Sequence, residues 1–221
     1  MNPPFPLPSK TLVEQTLEQA ISVIRPEFHM GLDISLALIP FLLALLLFRF
    51  AKLPGLLWWP FFAVFVLFLP NAPYLLTDVI HFVAKVRVTP PLPIWAMSVL
   101  LFEYILYFLF GMQCFTLSIM LWDNVLKRRG FKWLILPMEL LLIAASSFAI
   151  YLGRIDRLNS WDVVTDPHGL LDHALRDATM PKPLELTVIF FVAVTVIHFL
   201  LKGMNSLVIT LLVRRKEASD Y

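Results

Sequence analysis

Apolar residues gather along this chain into five long runs separated by short polar connections: 34–50, 53–69, 94–122, 133–152 and 186–213. A helix needs about 20 mainly apolar residues to cross a hydrocarbon core of about 30 Å, so each run predicts a membrane-spanning helix. The first two are short and only Ala51 and Lys52 join them, which predicts a tight helical hairpin with kinks at Pro40 and Pro60. The third and fifth exceed the hydrocarbon thickness and must tilt or project; a split of the third near Gly111 is the alternative. The expected fold is an all-α integral membrane protein, a bundle of about five transmembrane helices with short interfacial helices on the extracytoplasmic side.

The polar positions organise what lies between. Residues 1–33 read as an N-terminal tail, Pro-rich at first and then amphipathic, with no pattern of a cleavable signal peptide. In it Thr11 and Glu14 fit a capping box, and Leu12, Val13, Leu17, Ala20, Ile21 and Ile24 share one helical face. That helix lies on the membrane surface or packs against the bundle. Residues 34–213 form a single transmembrane domain with two long outer segments, 70–93 and 153–183, and 214–221 form a basic tail. Arg49, Lys52, Lys127, Arg128, Arg129, Lys132, Arg214, Arg215 and Lys216 crowd the short connections on one side, whereas the Lys and Arg of the other side are spread thinly. Dense positive charge beside helix ends resists translocation. The N-terminus is therefore expected outside, the C-terminus in the cytoplasm, and both long segments on the outer face.

Composition narrows the function. The chain is 59% apolar and 15% charged with a mean hydropathy of +0.78, against about 45–50% and about 25% for soluble proteins. The excess must face lipid, so the bilayer itself is the first partner. A net charge of +2 with no long basic block argues against nucleic acid, and a single cysteine, Cys114, excludes a disulfide framework. There is no Walker loop, no His-Glu-x-x-His and no Gly-x-Ser-x-Gly. No nucleotide and no cofactor is expected.

Candidate chemistry gathers in the outer segments. In Pro70-Asn-Ala-Pro-Tyr-Leu-Leu-Thr-Asp-Val-Ile-His two prolines are expected to stop the second membrane helix, and Asn71 suits the start of another. Thr77, Asp78 and His81 share one face of that helix, opposite Leu75, Leu76, Val79, Ile80 and Val83. Asp78 and His81 are candidate metal ligands or proton carriers, although two ligands do not make a site, and a polar face turned to water is the simpler expectation. In Gly153-Arg-Ile-Asp-Arg-Leu-Asn-Ser-Trp-Asp, Arg154 and Arg157 are spaced to clamp a phosphate or carboxylate, such as a lipid headgroup. Internal pairing with Asp156, Asp162 or Asp78 competes equally. Trp161 fits an aromatic belt. Asp166-Pro167 looks like the cap of a short helix, on which His168 and His173 read as solvated.

Within the membrane runs stand Glu103, Glu139, His198 and Lys202. Ionisable groups at such depth turn to the bundle interior. Glu139 and Lys202 have similar depths and are expected to pair, and Glu103 is expected to face Asp78 and His81. Linked as His81, Glu103, His198 and Glu139 they would suit a proton or cation path; as hydrogen-bonded groups they would be structural glue. Ala145, Ala149 and Gly153 form a small-residue stripe that predicts a central fourth helix.

The two motifs, Leu69-Pro-Asn-Ala-Pro-Tyr-Leu-Leu-Thr-Asp-Val-Ile-His and Gly153-Arg-Ile-Asp-Arg-Leu-Asn-Ser-Trp-Asp, resemble the paired signatures of a bacterial membrane family catalogued as domain of unknown function 1361. The resemblance implies a multi-pass protein of the bacterial plasma membrane and brings no activity with it. It draws attention to Asn71, Asp78, His81, Arg154, Asn159, Trp161 and Asp162. The reading that follows is a non-enzymatic membrane component that binds an ion, lipid headgroup or partner protein through this outer polar cluster, in transport or assembly. Arg154 and Arg157 would hold an anionic group while Asp78, Asn159 and Asp162 orient them. The alternative is a membrane-embedded enzyme acting on a lipid-linked substrate with Asp78, His81, Glu103 and Asp162.

Overall fold

The structure is a computed structural model, and it describes residues 14, 17, 18, 21, 28–50, 55–87, 93–156, 158 and 165–219. Every element among the described residues is helical. Helix α1 (Phe28–Ala44) runs into a π-helical turn (Leu45–Phe50), followed by α2 (Gly55–Phe68), the short α3 (Asn71–Tyr74), a 3-10 turn (Leu75–Asp78) and α4 (Val79–Val86). Then come α5 (Ile94–Arg128), α6 (Ile135–Ile155), α7 (Pro167–Asp177) and α8 (Pro181–Ser219). Among the described residues five stretches are long and apolar enough to cross a membrane: Met30–Arg49, Gly55–Val86, Ile94–Arg128, Lys132–Ile155 and Pro181–Glu217. Leu56, Phe102, Val188 and Leu200 are among many large apolar side chains on the outside, the surface that hydrocarbon rather than water would cover. Of the amphipathic N-terminal helix only Glu14, Leu17, Glu18 and Ile21 are described, all four exposed; Thr11 and the rest of that face lie outside the described residues.

α5 occupies the centre. Its 35 residues span about 52 Å at 1.5 Å per residue, and α1, α3, α4, α6 and α8 all pack against it. The helix is continuous through Gly111, so the chain does not split there. Gly111 instead lets another backbone come close: a Cβ at this position would lie 2.4 Å from the carbonyl oxygen of Ala72. The helix ends where Gly130 takes a positive φ of 84°, with the Phe131 N–H donating to Leu126 O at 2.9 Å. That pattern caps the last turn and favours glycine.

The α1–α2 hairpin closes around aromatic rings. Phe48 meets Phe65 and Trp122 edge-on or tilted at 5.3 Å, and Trp58 stacks on Phe62 at 4.7 Å. Both Pro40 and Pro60 sit inside their helices, where a membrane bundle tolerates proline because neighbouring helices can re-satisfy the freed carbonyls.

The second membrane helix ends at Phe68, just ahead of Pro70 and Pro73, and a new helix starts at Asn71, as the sequence leads one to expect. Pro70 keeps helical dihedrals (φ −62°, ψ −23°), and the chain passes through a turn at Leu69–Pro70 into α3, the 3-10 turn and α4. A proline in the first turn of a helix lacks only an N–H that would have no partner there. The chain bends and continues, which brings Asp78 back over the bundle.

Gly111→Ala should lower stability by about 1–3 kcal/mol, because the group it strikes is backbone and cannot rotate away. Gly203, with nothing within 4 Å of its added Cβ, should tolerate alanine or gain up to about 1 kcal/mol from helix propensity. Thermal unfolding in detergent reads both, and equal effects would contradict the close approach at Ala72.

Candidate functional site

The site forms where the α3–α4 segment folds over the end of α6. Asp78 is buried at the close of the 3-10 turn. Its Oδ1 lies 3.1 Å from Arg154 Nη2, and its Oδ2 accepts from the Tyr107 hydroxyl at 2.6 Å. The same hydroxyl stands 3.2 Å from Asp33 Oδ2, which brings α1 into the cluster. Arg154 Nη2 also donates to the Thr77 carbonyl at 2.9 Å, Nη1 reaches the Tyr74 hydroxyl at 3.4 Å, and the guanidinium lies over the Tyr74 ring at 5.6 Å. These bonds use three of the five N–H groups of the guanidinium.

Between Thr77 and Val83 this geometry runs largely against the water-facing expectation. Thr77 and Asp78 are buried, whereas Val79, Ile80 and Val83 are exposed; Leu75 on the apolar side and His81 on the polar side lie as expected. In an apolar medium there is no gain in hiding valine and isoleucine, and every gain in pairing an aspartate inside the bundle. His81 remains exposed on the cavity rim, its Nε2 3.9 Å from Asp78 Oδ1, too far for a hydrogen bond.

Beside the cluster lies a cavity of about 840 Å³. Its polar lining comes from Asp33, Asn71, Tyr74, Asp78, His81 and Arg154, and its apolar lining from residues such as Leu36, Leu67, Phe68, Phe148 and Leu152, with Leu170, Leu171 and Ala174 of α7. A groove of about 210 Å³ between α2 and α6 shares Leu67, Pro70 and Ala149 with it and is otherwise lined by Val66, Leu69, Leu142, Ala145 and Ser146. The small-residue stripe therefore serves a different end from the one expected. Ala145 and Ala149 line the groove, and at Gly153 an added Cβ would lie 3.2 Å from the Tyr74 ring. α6 packs mainly on α8, while α5 takes the central place.

α7 begins as its sequence indicates: Asp166 accepts from the Gly169 N–H at 3.0 Å and Pro167 follows as the first helical residue. Its far end rests on α6 through a carboxyl pair, Asp156 with Asp177. Burial, then the hydrogen bond to Asp177, raises Asp156 above the usual carboxyl range. The hydrogen bond from Asp156, against the opposing effect of burial, holds Asp177 below it, helped by Arg176 Nε at 3.2 Å. The opposite directions mean that Asp156 is the first of the two carboxyls to take up a proton as pH falls. His173 Nδ1 is 2.9 Å from Arg176 Nη2 on the exposed side.

At the opposite end Lys202 Nζ hydrogen-bonds Glu139 Oε1 and, at 2.7 Å, Asp123 Oδ2. The sequence pairs Glu139 with Lys202 correctly but misses Asp123, which falls one residue past the apolar run assigned to the third helix. His198 is fully buried beside them. Tyr107 and Asp123 are separated by about 24 Å along α5, and buried Met112, Phe115 and Ile119 fill the interval. Among the described residues Asp78 is met from α5 by Tyr107, one turn along from Glu103. A single path through His81, Glu103, His198 and Glu139 is therefore not built; there are two polar clusters with apolar packing between them. Among the described residues no group of three or more His, Cys, Asp or Glu is arranged to hold a metal. Arg157, Asn159, Trp161 and Asp162 lie outside the described residues.

The family model for proteins of unknown function DUF1361 matches residues 32–211. The chain belongs to this family. No curated protein and no solved structure matches it. Within the matched span fall both sequence motifs, whose Asp78 and Arg154 the fold joins. Asp33 and Tyr107 complete the cluster and carried no sequence signal of their own, because a tyrosine in an apolar run and an aspartate at a helix start are ordinary.

Asp78→Ala and Arg154→Ala should each cost about 3 kcal/mol, since each strands a partner, and the double variant should lose less than the sum. Unfolding midpoints of the three proteins decide it; additive losses would mean the two do not act as a pair. For Asp156 the raised value means that stability is present below the ordinary aspartate range and lost as pH rises through the raised one. Asp177 adds the opposite loss at low pH. Wild-type unfolding midpoints should fall on the alkaline side of that window, and Asp156→Asn, which donates without losing a proton, should flatten the fall.

Proposed function

We propose that this protein binds a lipid-like amphiphile, with the polar head at the Asp78–Arg154 cluster and an apolar chain along the groove between α2 and α6. The observation that carries the reading is the shared lining of cavity and groove at Leu67, Pro70 and Ala149: one continuous wall passes from charged to apolar. Sites that hold small amphiphiles are concave, mostly apolar and marked by a few oriented polar groups. Arg154, held in place by Asp78 and the Thr77 carbonyl, has two N–H groups beyond those engaged among the described residues, and these can meet a phosphate oxygen of the head. Tyr74 and Asn71 stand on the same wall. By the density of Lys and Arg at the opposite end, the cavity opens on the extracytoplasmic side, which suits a component that carries or hands on a lipid. A catalytic role for Asp78 is the weaker reading, because both of its oxygens are already engaged by Arg154 and Tyr107.

Native mass spectrometry of the protein released from lipid nanodiscs tests this. Ala149→Phe should fill the junction of cavity and groove and lower the bound-lipid fraction about tenfold, equal to about 1.4 kcal/mol. Arg154→Lys should retain the pairing with Asp78 but lose the fork, and should weaken retention of phosphate-headed lipid in particular. Equal lipid retention by wild type and Ala149→Phe would exclude the cavity as the site.

A further inference from the structure

The second polar cluster has a charge balance that the bundle interior does not tolerate as it stands. Asp123 from α5 and Glu139 from α6 are each 1% exposed, and His198 from α8 is 0% exposed. Lys202, one turn beyond His198, bridges the two carboxyls. With ordinary ionisation and a neutral imidazole, two carboxylates face one ammonium and one negative charge is left over. Among the described residues Lys127 is the other lysine or arginine acting on Asp123, but it is exposed at the end of α5 and is screened there by solvent. An uncompensated charge in such surroundings is removed by taking up a proton or a counter-ion.

Two buried atoms are open to that proton. His198 Nδ1 is satisfied by Thr116 Oγ1 at 3.2 Å, but Nε2 has no hydrogen-bond partner and lies 4.0 Å from Glu139 Oε1. Asp123 Oδ1 also lacks a partner. A metal ion is poorly suited, because the Lys202 ammonium already occupies the position between the carboxyls where a cation would sit, and no metal-holding group is found among the described residues.

We propose that Asp123, Glu139, His198 and Lys202 form a proton-binding site that holds one proton more than two carboxylates, an ammonium and a neutral imidazole would carry. The proton resides on His198 Nε2 facing Glu139, or on the Asp123 carboxyl, and either position makes the cluster neutral. Lys202, the only one of the four not sealed from outside, marks the side from which the proton enters, the Lys127 end of the bundle. Loss of the proton leaves a net charge among α5, α6 and α8 and favours water entry there, which couples the packing of α8 to pH. This site is independent of the lipid cavity at the other end.

The test is made on the full chain in lipid bilayers at neutral pH, with ¹⁵N-histidine solid-state NMR and infrared difference spectroscopy of carboxyl groups. His198→Asn assigns the His198 resonance, and a Glu103→Gln/Asp156→Asn background removes the other intramembrane-run carboxyl and the proton-taking carboxyl at the end of α6. The expected result is a His198 imidazolium or a protonated carboxyl that disappears in both Glu139→Gln and Asp123→Asn, since either amide leaves one carboxylate to one ammonium. A neutral His198 with no protonated carboxyl in the wild-type bilayer sample overturns the proposal without recourse to any variant. Persistence of the same signal in both folded amide variants also overturns it. Should an amide variant fail to fold, dipolar coupling between ¹⁵N-His198 and a ¹³C-labelled carboxyl in the wild type replaces it: a coupled pair carrying the extra proton supports the site, and an uncoupled one refutes it.

Discussion

The ion pair between Asp78 and Arg154 joins residues 76 apart in sequence, and the architecture of one end of the molecule hangs on it. Asp78 belongs to a segment that leaves α2 through two prolines, and Arg154 to the last turn of α6. Neither segment has a large apolar reason to sit on the other. What draws them together is that a carboxylate and a guanidinium near hydrocarbon have few alternatives to each other. The Tyr107 and Tyr74 hydroxyls and the Thr77 carbonyl take up further hydrogen-bonding capacity, so the pair is held by three other groups as well as by its own attraction.

The same constraint explains the cavity. Because Asp78 and Arg154 are tied to each other at the top of α5 and α6, the α3–α4 segment spans the bundle like a strap, and α2 and α6 are not drawn into contact beneath it. Small side chains at Ala145 and Ala149 leave that gap unfilled. Elsewhere the bundle closes tightly: Gly111 admits the Ala72 carbonyl and the aromatic group around Phe48 seals the α1–α2 hairpin. The molecule thus has dense packing in its middle and an open, partly polar chamber at one end.

Polar residues within the apolar runs obey a related rule at the other end. Asp123, Glu139, His198 and Lys202 come from three helices and meet because each is costly alone. They are separated from the Asp78 cluster by a layer of large apolar side chains, so the two polar regions act on different sides of the bundle.

Much of this was legible in the amino-acid order. The five apolar runs set the number of membrane-length helices, since length and hydropathy suffice for that. Glu139 and Lys202 could be matched by depth alone, and Asp166-Pro167 announced the start of α7 through local capping chemistry. Local chemistry announced a new helix at Asn71, but it could not say which side of Thr77–Val83 would turn inward, because that choice depends on whether water or hydrocarbon lies outside. It could not find Tyr107, Asp33 or Asp123 either: each is unremarkable in its own segment and acquires a role only from partners on other helices. Sequence determined the spans, the end caps and the residues too polar to face lipid. Tertiary structure alone decided which of them meet, because an ion pair or hydrogen bond acts over a few ångströms and that proximity is created only when the helices pack.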